Sequence, residues 1–528
     1  RQTAAVTVDD AEFKALRGSN TLQWAAATTL DELRGGAGGA GGDIIDLSGN
    51  TANLLLSITG TNAGWVKGSA SGMTQSSFSS STAQAMKDAG DNAGRGFRFT
   101  GFENVVGGQG SDVFRVRDGA SLTGSLTGNT DGGRHHNASG DEIANARNTL
   151  DFSEYTRAVQ VNEEGNSAFG SAGASNIQVR GFHNIFGGQG GDWLVGDGRN
   201  NLLVGNDGTD TLEGQAAHDL LVADTFVTYT NLLAGQTRPL DSSLKNVADY
   251  LSLQAVGAAE FGVAARNWIW KGQTLENRSL TTAGAQVLKG GSGSDVILGA
   301  LGGDIINIGG SGEGNDTILA DLGRVQIDFL YRSALSATSF GSRGGGNDTI
   351  YLGSGSNLLI AGNGRDTVYG ADSASAFNVV LTDNGTVQYK TVEAVVAGQT
   401  KLTFAVSGAY THMLDYVEAP VAETGGSGND DTLRMGSGSA IVFGGAGQDS
   451  LAFNAASSTG ANTRFIAGDH ARIDTDANGS VVSFASTDTA ASSGGNDTLS
   501  VGSPADLIAR HLGSNYLIGG MGSDTLLV

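Results

Sequence analysis

Apolar and polar positions repeat every nine residues along much of the chain. Between Gly187 and Val222 four nonapeptides follow one another, each with a Gly-rich half and an aliphatic half. Glycine favours tight turns because it adopts positive φ angles, and the aliphatic half favours a short strand with its large side chain inward. The sixth position is polar and the eighth is leucine in all four copies: Asp192, Asn201, Asp210 and Asp219, then Leu194, Leu203, Leu212 and Leu221. The pattern therefore predicts short strands joined by glycine turns.

The same register returns in the second half of the chain. Asn357, Ala440 and Asn515 hold the sixth position in some copies, and Asp43 and Asp112 stand in isolated copies. Most copies have aspartate there: Asp295, Asp304, Asp316, Asp348, Asp366, Asp431, Asp449, Asp497, Asp506 and Asp524. Two nonapeptides make a coil of eighteen residues, and coils stack at ~4.8 Å. Aspartates eighteen residues apart should therefore lie above one another, in the pairs Asp192 with Asp210, Asp348 with Asp366, Asp431 with Asp449, and Asp506 with Asp524.

Stacked carboxylates repel one another unless a cation lies between them. Carboxylate and main-chain carbonyl oxygens are the ligands that Ca²⁺ prefers. The alternative is a turn role, in which each aspartate only accepts hydrogen bonds from local amides. We predict these calcium-binding residues: Asp112, Asp192, Asp210, Asp219, Asp295, Asp304, Asp316, Asp348, Asp366, Asp431, Asp449, Asp497, Asp506 and Asp524, with Gly188, Gly190, Gly291 and Gly293 in the turns.

These nonapeptides resemble the repeats of RTX (repeats-in-toxin, hemolysin-type) proteins. The resemblance implies a right-handed parallel β-roll, calcium ions in the turns, and export of the unfolded chain by a type I secretion system. Some copies depart from the motif. Asn201, Asn357 and Asn515 lower the charge of their turns, and Ala440 removes a ligand.

A longer repeat overlies the nonapeptides. The segments GFENVVGGQGSD (101–112) and GFHNIFGGQGGD (181–192) are related copies, and three strand–turn–strand segments recur in the second half. We predict an all-β fold, a right-handed parallel β-roll or β-solenoid with loop excursions and a short helical insertion. The predicted divisions are an N-terminal segment with short helices (1–42), module 1 (43–116), connecting loops (117–147), module 2 with four nonapeptides (148–224), a partly helical insertion (225–285), RTX-like repeats (286–323), module 3 (324–370), module 4 (371–452) and module 5 (453–528).

Two segments break the nine-residue pattern and predict helices. In residues 5–34, the segments 9–18 and 29–35 have acidic residues early and end in Arg-Gly, as short capped helices do. In the 225–285 insertion, one helical face carries the apolar residues Leu240, Leu244, Val247 and Leu251.

Composition narrows the classes of function. The 528 residues include 84 Gly, 3 Pro and no Cys, and the net charge is −23. The lack of cysteine excludes disulfides and thiolate zinc sites, and the acidic charge argues against nucleic acid and anionic membranes as partners. No apolar run approaches the ~20 residues of a membrane helix, so we expect no membrane insertion. The chain begins without Met and ends within a repeat, which indicates a processed product or a fragment.

Catalytic motifs are missing as well. The sequence contains no H-E-x-x-H motif, and no G-x-S-x-G elbow in a strand–turn–helix setting. We therefore expect no enzyme, but a calcium-dependent extracellular or cell-surface structural protein: an adhesin, a surface-layer subunit or a filament subunit that forms a homo-oligomer or polymer. A cell-surface polysaccharide is a candidate partner, with Trp65, Trp193, Trp268 and Trp270 as candidate platforms. The alternative is an exported polysaccharide lyase or hydrolase that carries the roll as a folding tail.

Overall fold

The chain forms two compact units in its computed structural model. One unit comprises residues 1–210 with 243–270, and the other comprises residues 211–242 with 271–528. The structure describes residues 2–5, 13–14, 20–23, 32–35, 42–48, 54–67, 96–108, 112–128, 148–165, 167–170, 177–224, 226–230, 273–277, 284–307, 314–328, 333–340, 345–392, 403–404, 411–419, 429–453, 462–476, 480–487, 495–501 and 514–527. These described residues form strands and turns, and none of them belongs to a helix able to span a membrane.

The first unit is built from short strands that pair mainly in parallel. They are β1 (Gln2–Ala5), β2 (Phe13–Lys14), β3 (Asn20–Gln23), β4 (Glu32–Arg34), β5 (Ile44–Asp46), β6 (Leu55–Gly60), β7 (Ala63–Lys67), β8 (Gly96–Thr100), β9 (Asn104–Val106), β10 (Val113–Val116), β11 (Ser125–Thr127), β12 (Thr149–Asp151), β13 (Val159–Asn162), β14 (Ser167–Gly170), β15 (Gln178–Arg180), β16 (Asn184–Phe186), β17 (Trp193–Val195) and β18 (Leu202–Val204).

Three sheets organise this unit. The first runs in the order β1-β3-β5-β9-β11-β15, and all its pairs are parallel. The second contains the parallel run β6-β10-β12-β16-β18. In the third, β13 pairs in parallel with β17 and antiparallel with β14. The two copies of the longer repeat contribute to different sheets. Residues 104–116 form β9 in the first sheet and β10 in the second. Residues 184–195 form β16 in the second sheet and β17 in the third.

The helices predicted within residues 5–34 are wrong where the structure describes them. Phe13–Lys14 and Glu32–Arg34 are strands that pair in parallel with each other, and β4 also pairs with β8. Leu33 is completely buried. Strand pairing and burial of this leucine outweigh the weak helical propensity of a short segment, because one or two turns of helix are marginal without tertiary packing.

The second unit carries most of the repeats. Its strands are β19 (Thr211–Ala216), β20 (Leu220–Val222), β21 (Phe226–Thr230), β22 (Gln273–Asn277), β23 (Val287–Ser292), β24 (Val296–Leu298), β25 (Ile305–Asn307), β26 (Thr317–Leu319), β27 (Gly323–Asp328), β28 (Ser333–Ser339), β29 (Thr349–Leu352), β30 (Leu358–Ile360), β31 (Thr367–Gly370), β32 (Phe377–Leu381), β33 (Thr386–Val392), β34 (Thr403–Phe404), β35 (Thr411–Glu418), β36 (Thr432–Met435), β37 (Ser439–Phe443), β38 (Ser450–Phe453), β39 (Thr463–Ala467), β40 (Ala471–Thr475), β41 (Val481–Ser486), β42 (Thr498–Val501), β43 (Ser514–Ile518) and β44 (Thr525–Leu527).

Two parallel sheets form the β-roll of this unit. The front sheet is β20-β24-β26-β30-β32-β37-β39-β43. The back sheet is β19-β23-β25-β29-β31-β36-β38-β42-β44. The middle aliphatic residue points inward in most of these strands, and residues such as Ile318, Leu359 and Val368 are completely buried, whereas Leu526 in the last strand, β44, is exposed. The predicted parallel β-roll is confirmed, because these buried residues are the eighth positions of the nonapeptides and their homologues.

The excursions from the roll form a third sheet, which the sequence did not predict. This side sheet runs in the order β21-β22-β27-β28-β33-β35-β40-β41, and all its pairs are antiparallel. The strand–turn–strand segments of the second half therefore leave the roll as hairpins and pair with one another. The two described ends of the 225–285 insertion, β21 and β22, belong to this sheet. The helix expected at 240–256 lies outside the described residues.

Candidate calcium-binding edge

Aspartates form a hydrogen-bonded ladder along one edge of the back sheet. Each residue of this back ladder precedes a strand of the back sheet, and its Oδ1 accepts the main-chain N–H of the equivalent residue in the preceding coil. The N···O distances are 2.7–3.1 Å. The ladder comprises Asp304, Asp348, Asp366, Asp431, Asp449, Asp497 and Asp524. It begins at Gln286, whose N–H donates to Oδ1 of Asp304 at 2.8 Å.

A second ladder precedes the strands of the front sheet. The N–H of Asp219 donates to Asp295 Oδ1, and that of Asp295 to Asp316 Oδ1, at 2.8 and 2.9 Å. The ladder then continues through amides instead of carboxylates, because the N–H of Asp316 donates to Asn357 Oδ1 at 3.0 Å and that of Asn357 to Asn378 Oδ1 at 3.0 Å. By strand register, the next positions are Ala440, Arg464 and Asn515. Carboxylates therefore follow the whole back edge but only the first part of this front ladder.

Three of the four predicted aspartate pairs are confirmed. The N–H of Asp192 donates to Asp210 Oδ1 at 2.7 Å within the first unit, and the pairs Asp348/Asp366 and Asp431/Asp449 are each bonded at 2.8 Å. In the fourth pair only Asp524 is described; it accepts the N–H of Asp497, and β42 pairs directly with β44. Asp506 lies outside the described residues. Hairpins and loops lengthen other steps of the ladder to 44, 48 and 65 residues, so eighteen-residue spacing could not find those neighbours.

The second carboxylate oxygens point into the turns. Oδ2 is buried without a hydrogen-bond partner among the described residues at Asp295, Asp348, Asp366, Asp431 and Asp449. A β-carbon at Gly444 would collide with the carbonyl oxygen of Gly468 in the next coil and would lie 2.5 Å from Asp449 Oδ2. Carboxylate and carbonyl oxygens therefore meet at a place that only glycine leaves open. This donor set of hard oxygen atoms fits calcium.

The arrangement recurs in the first unit. A β-carbon at Gly107 would lie 2.6 Å from the carbonyl oxygen of Gly128 and 2.7 Å from Asp112 Oδ2. Asp112 Oδ1 accepts the N–H of Leu54, and the N–H of Asp112 donates to Asn148 Oδ1. Sequence analysis missed Asn148, as it missed Asn378, because neither stands in a Gly-rich nonapeptide. The only available signal is an asparagine before a short aliphatic strand.

The predicted glycines shape the turns without presenting side chains. The N–H of Gly188 donates to Asp192 Oδ2 at 2.6 Å. Gly190 lies against the main chain of Arg157 and Ala158, where a β-carbon would collide. Gly291 and Gly293 have φ angles of 101° and 143°, which side chains rarely adopt. Their α-carbons lie close to main-chain carbonyl groups of the preceding coil.

Hydrogen bonds from amides of the same turn account for the Oδ2 atoms of some of the aspartates. Oδ2 of Asp112 and of Asp304 accepts an amide four residues upstream, from Gly108 and Ala300 respectively, as Asp192 does from Gly188. At the five aspartates with unpartnered Oδ2 atoms, the turn-only alternative leaves a buried charged oxygen without a donor. Such an atom is costly unless a cation or a proton compensates it.

Burial raises the pKa values of these carboxyl groups. Burial raises the pKa of Asp304 to about 7, and that of Asp112 and Asp449 to about 8. For Asp431, repulsion from Asp383, Asp366 and Asp449 adds to burial and raises the pKa further. A row of such groups is unfavourable in its charged form, and a divalent cation among them removes both the repulsion and the need for protons.

Each calcium site needs ligands other than aspartate side chains. Among the described residues, no group of three or more His, Asp or Glu side chains converges on one metal position. Each ion would therefore be held by one or two carboxylates together with carbonyl oxygens of the glycine turns. When bound, calcium supplies the positive charge that allows successive turns to stack.

The fold and these edges define the class: a parallel β-roll with calcium-binding turns. The family profile described as the RTX calcium-binding nonapeptide repeat matches the chain in four copies, at residues 186–221, 280–310, 343–374 and 492–526. These matches cover about a quarter of the chain. The chain thus carries RTX calcium-binding nonapeptide repeats, and calcium is its cofactor. A search of curated proteins finds none that matches it.

Proposed function

We propose that the chain is a structural protein of the extracellular or cell-surface layer, which folds and assembles into a homo-oligomer or polymer when calcium becomes available outside the cell. RTX repeat proteins are typically secreted, so the coarse setting follows from the repeats themselves. Extracellular calcium-binding modules have dissociation constants of about 10⁻⁴–10⁻³ M and therefore fill outside the cell. Because metal binding contributes folding free energy, the acidic chain would remain expanded during export and condense afterwards.

This proposal rests mainly on how the segments that leave the roll pair with one another. In the second unit, the described excursions pair into one antiparallel side sheet. Such pairing gives every second coil a further set of contacts with its counterparts and stiffens the stack. A stiff and regular stack suits a surface layer, an adhesin or a filament better than it suits a hinged catalytic cleft.

The test is a calcium titration of the full chain from chelator to ~10 mM, followed by light scattering and far-UV circular dichroism. We expect β structure and large homotypic assemblies to appear together with calcium. A chain that gains β structure but stays monomeric, or that cleaves an extracellular polysaccharide, would contradict the proposal and favour the exported enzyme. A magnesium titration serves as the control for unspecific charge screening.

A further inference from the structure

An aspartate follows the front-sheet strand in every second coil of the second unit. The second residue after β24, β30, β37 and β43 is small: Ala300, Gly362, Gly445 and Gly520. The second residue after the intervening strands β20, β26, β32 and β39 is acidic: Asp224, Asp321, Asp383 and Asp469. Each of these four aspartates stands two or three residues before the strand that enters the side sheet. We call Asp321, Asp383 and Asp469 the branch aspartates.

The branch aspartates reach into the turn of the next coil. Oδ2 of Asp321 accepts the N–H of Asn363 at 2.7 Å, and the α-carbon of Gly362 lies against the same carboxyl group. The contact recurs at the later branch points, where the N–H of Ala446 donates to Asp383 Oδ2 at 2.7 Å and that of Met521 to Asp469 Oδ2 at 2.5 Å. The alternation of acidic and small residues thus has a steric reason.

The other oxygen of Asp321 has no such explanation. Asp321 is only 4% exposed, and its Oδ1 is buried without a hydrogen-bond partner among the described residues. The carboxyl lies in the turns that lead to the back ladder, since it accepts the N–H of Asn363, three residues before Asp366, and a β-carbon at Gly345, three residues before Asp348, would collide with its Oδ2. Oδ2 of Asp366 is likewise buried with no hydrogen-bond partner in the described part of the chain. A turn-capping role accounts for Oδ2 of Asp321 but leaves two buried carboxylate oxygens uncompensated at one edge.

We propose that Asp321 is a further calcium ligand, which shares one ion with Asp366 and with carbonyl oxygens of the adjoining turns. Asp383 and Asp469 stand at the corresponding positions of the next two branch points, but both oxygens of Asp469 accept main-chain N–H groups, from Gly495 and Met521, so the proposal is confined to Asp321. Sites with two carboxylates bind calcium more tightly than turns that offer one, because ligand charge tunes affinity. Calcium at this branch point therefore holds the base of the β27–β28 hairpin against the roll. This inference depends on calcium binding by the repeats and not on the proposed structural role.

The test counts calcium ions bound to the full chain by equilibrium dialysis and metal analysis at several free calcium concentrations. Asp321→Asn keeps an oxygen for the N–H of Asn363 but removes the charge. We expect it to lose one ion from the tightest class, or to weaken that ion about tenfold. The control variant Asp474→Asn removes a partly exposed carboxylate on the side sheet and should leave the count unchanged.

The double variant Asp321→Asn/Asp366→Asn decides whether the two carboxylates share an ion. A shared ion predicts that the double variant loses no more ions than either single variant. Loss of two ions, or a wild-type count and affinity in Asp321→Asn, would overturn the proposal and leave only a turn-capping role. Circular dichroism at saturating calcium verifies folding. If Asp321→Asn does not fold, Asp321→Glu, which retains the charge, replaces it and should shift the affinity of that one ion.

Discussion

The main-chain N–H of Asp348 donates a hydrogen bond to Oδ1 of Asp366, the equivalent residue of the next coil, at 2.8 Å. This bond ties the coils together whether or not a cation is present. Oδ2 of each residue is buried without a hydrogen-bond partner among the described residues. One carboxylate thus serves two purposes: one oxygen sets the register of the stack, and the other is available to a metal ion.

The variant Asp366→Asn distinguishes the role of this carboxylate in coil register from its role in calcium binding. The asparagine keeps an acceptor for the N–H of Asp348 but removes the charge, so we expect the calcium affinity of that turn to fall about tenfold, or ~1.4 kcal/mol. The fold at saturating calcium should persist. Isothermal titration calorimetry measures the change in calcium affinity. The control is Glu213→Gln, which removes a charge from the outer face of the back sheet, where Glu213 forms an ion pair with Lys289 at 3.1 Å. An unchanged titration of Asp366→Asn would show that the residue binds no ion.

The calcium-free roll should become more stable as the pH falls. Folding raises the pKa of Asp304 to about 7 and of Asp449 to about 8, above the ~3.9 of an unfolded aspartate. A raised pKa contributes stability that is fully present below pH 4 and is lost as the pH rises through 7–8. Chain dialysed free of calcium should therefore gain β structure between pH 8.5 and 4.5 by circular dichroism. With calcium the trend should reverse, because protons compete with the ion; equal disorder at both pH values without calcium contradicts this expectation.

Gly444→Ala should disrupt the back edge through sterics alone. The added methyl group would collide with the carbonyl oxygen of Gly468 and approach Asp449 Oδ2, the two oxygen atoms of one candidate site. We expect a loss of about 1–3 kcal/mol of stability in calcium, together with weaker calcium binding. Gly198→Ala is the matched control, because nothing lies within 4 Å of its added β-carbon. Urea unfolding at fixed calcium measures both variants, and equal midpoints would refute the collision.

Arg464 should stabilise the front ladder without calcium. It occupies a ladder position between Ala440 and Asn515, is completely buried, and its guanidinium lies 5.3 Å from the centre of the Phe453 ring. We expect Arg464→Ala to cost about 2–3 kcal/mol in unfolding free energy and to leave the number of bound calcium ions unchanged. Arg434→Ala, which removes an arginine from the exposed face of β36, should cost less than ~0.5 kcal/mol. A changed ion count in Arg464→Ala would place this arginine beside a calcium site.

The nine-residue period by itself determined the roll, its turns and its cofactor. Glycine, aspartate and leucine act locally. Glycine allows the φ angles of the turn, aspartate provides an oxygen at its edge, and leucine provides the aliphatic side chain that points inward. Asp192 and Asp210, or Asp431 and Asp449, could therefore be paired by counting residues. The same counting did not find that Asp524 accepts the N–H of Asp497, because these residues are 27 apart in sequence and not eighteen.

Only the tertiary structure decided which distant segments meet. The side sheet depends on strand edges that find one another across the coils, as β28 and β33 do, and local alternation predicts strands but not their partners. Burial of Leu33 made a strand where local signals favoured a helix. The position of Asp321 beside Asp366 arises from stacking alone, because the two residues are 45 apart in sequence and belong to different coils. Long-range pairing and burial, which the linear pattern does not contain, thus placed the hairpins and the branch aspartates.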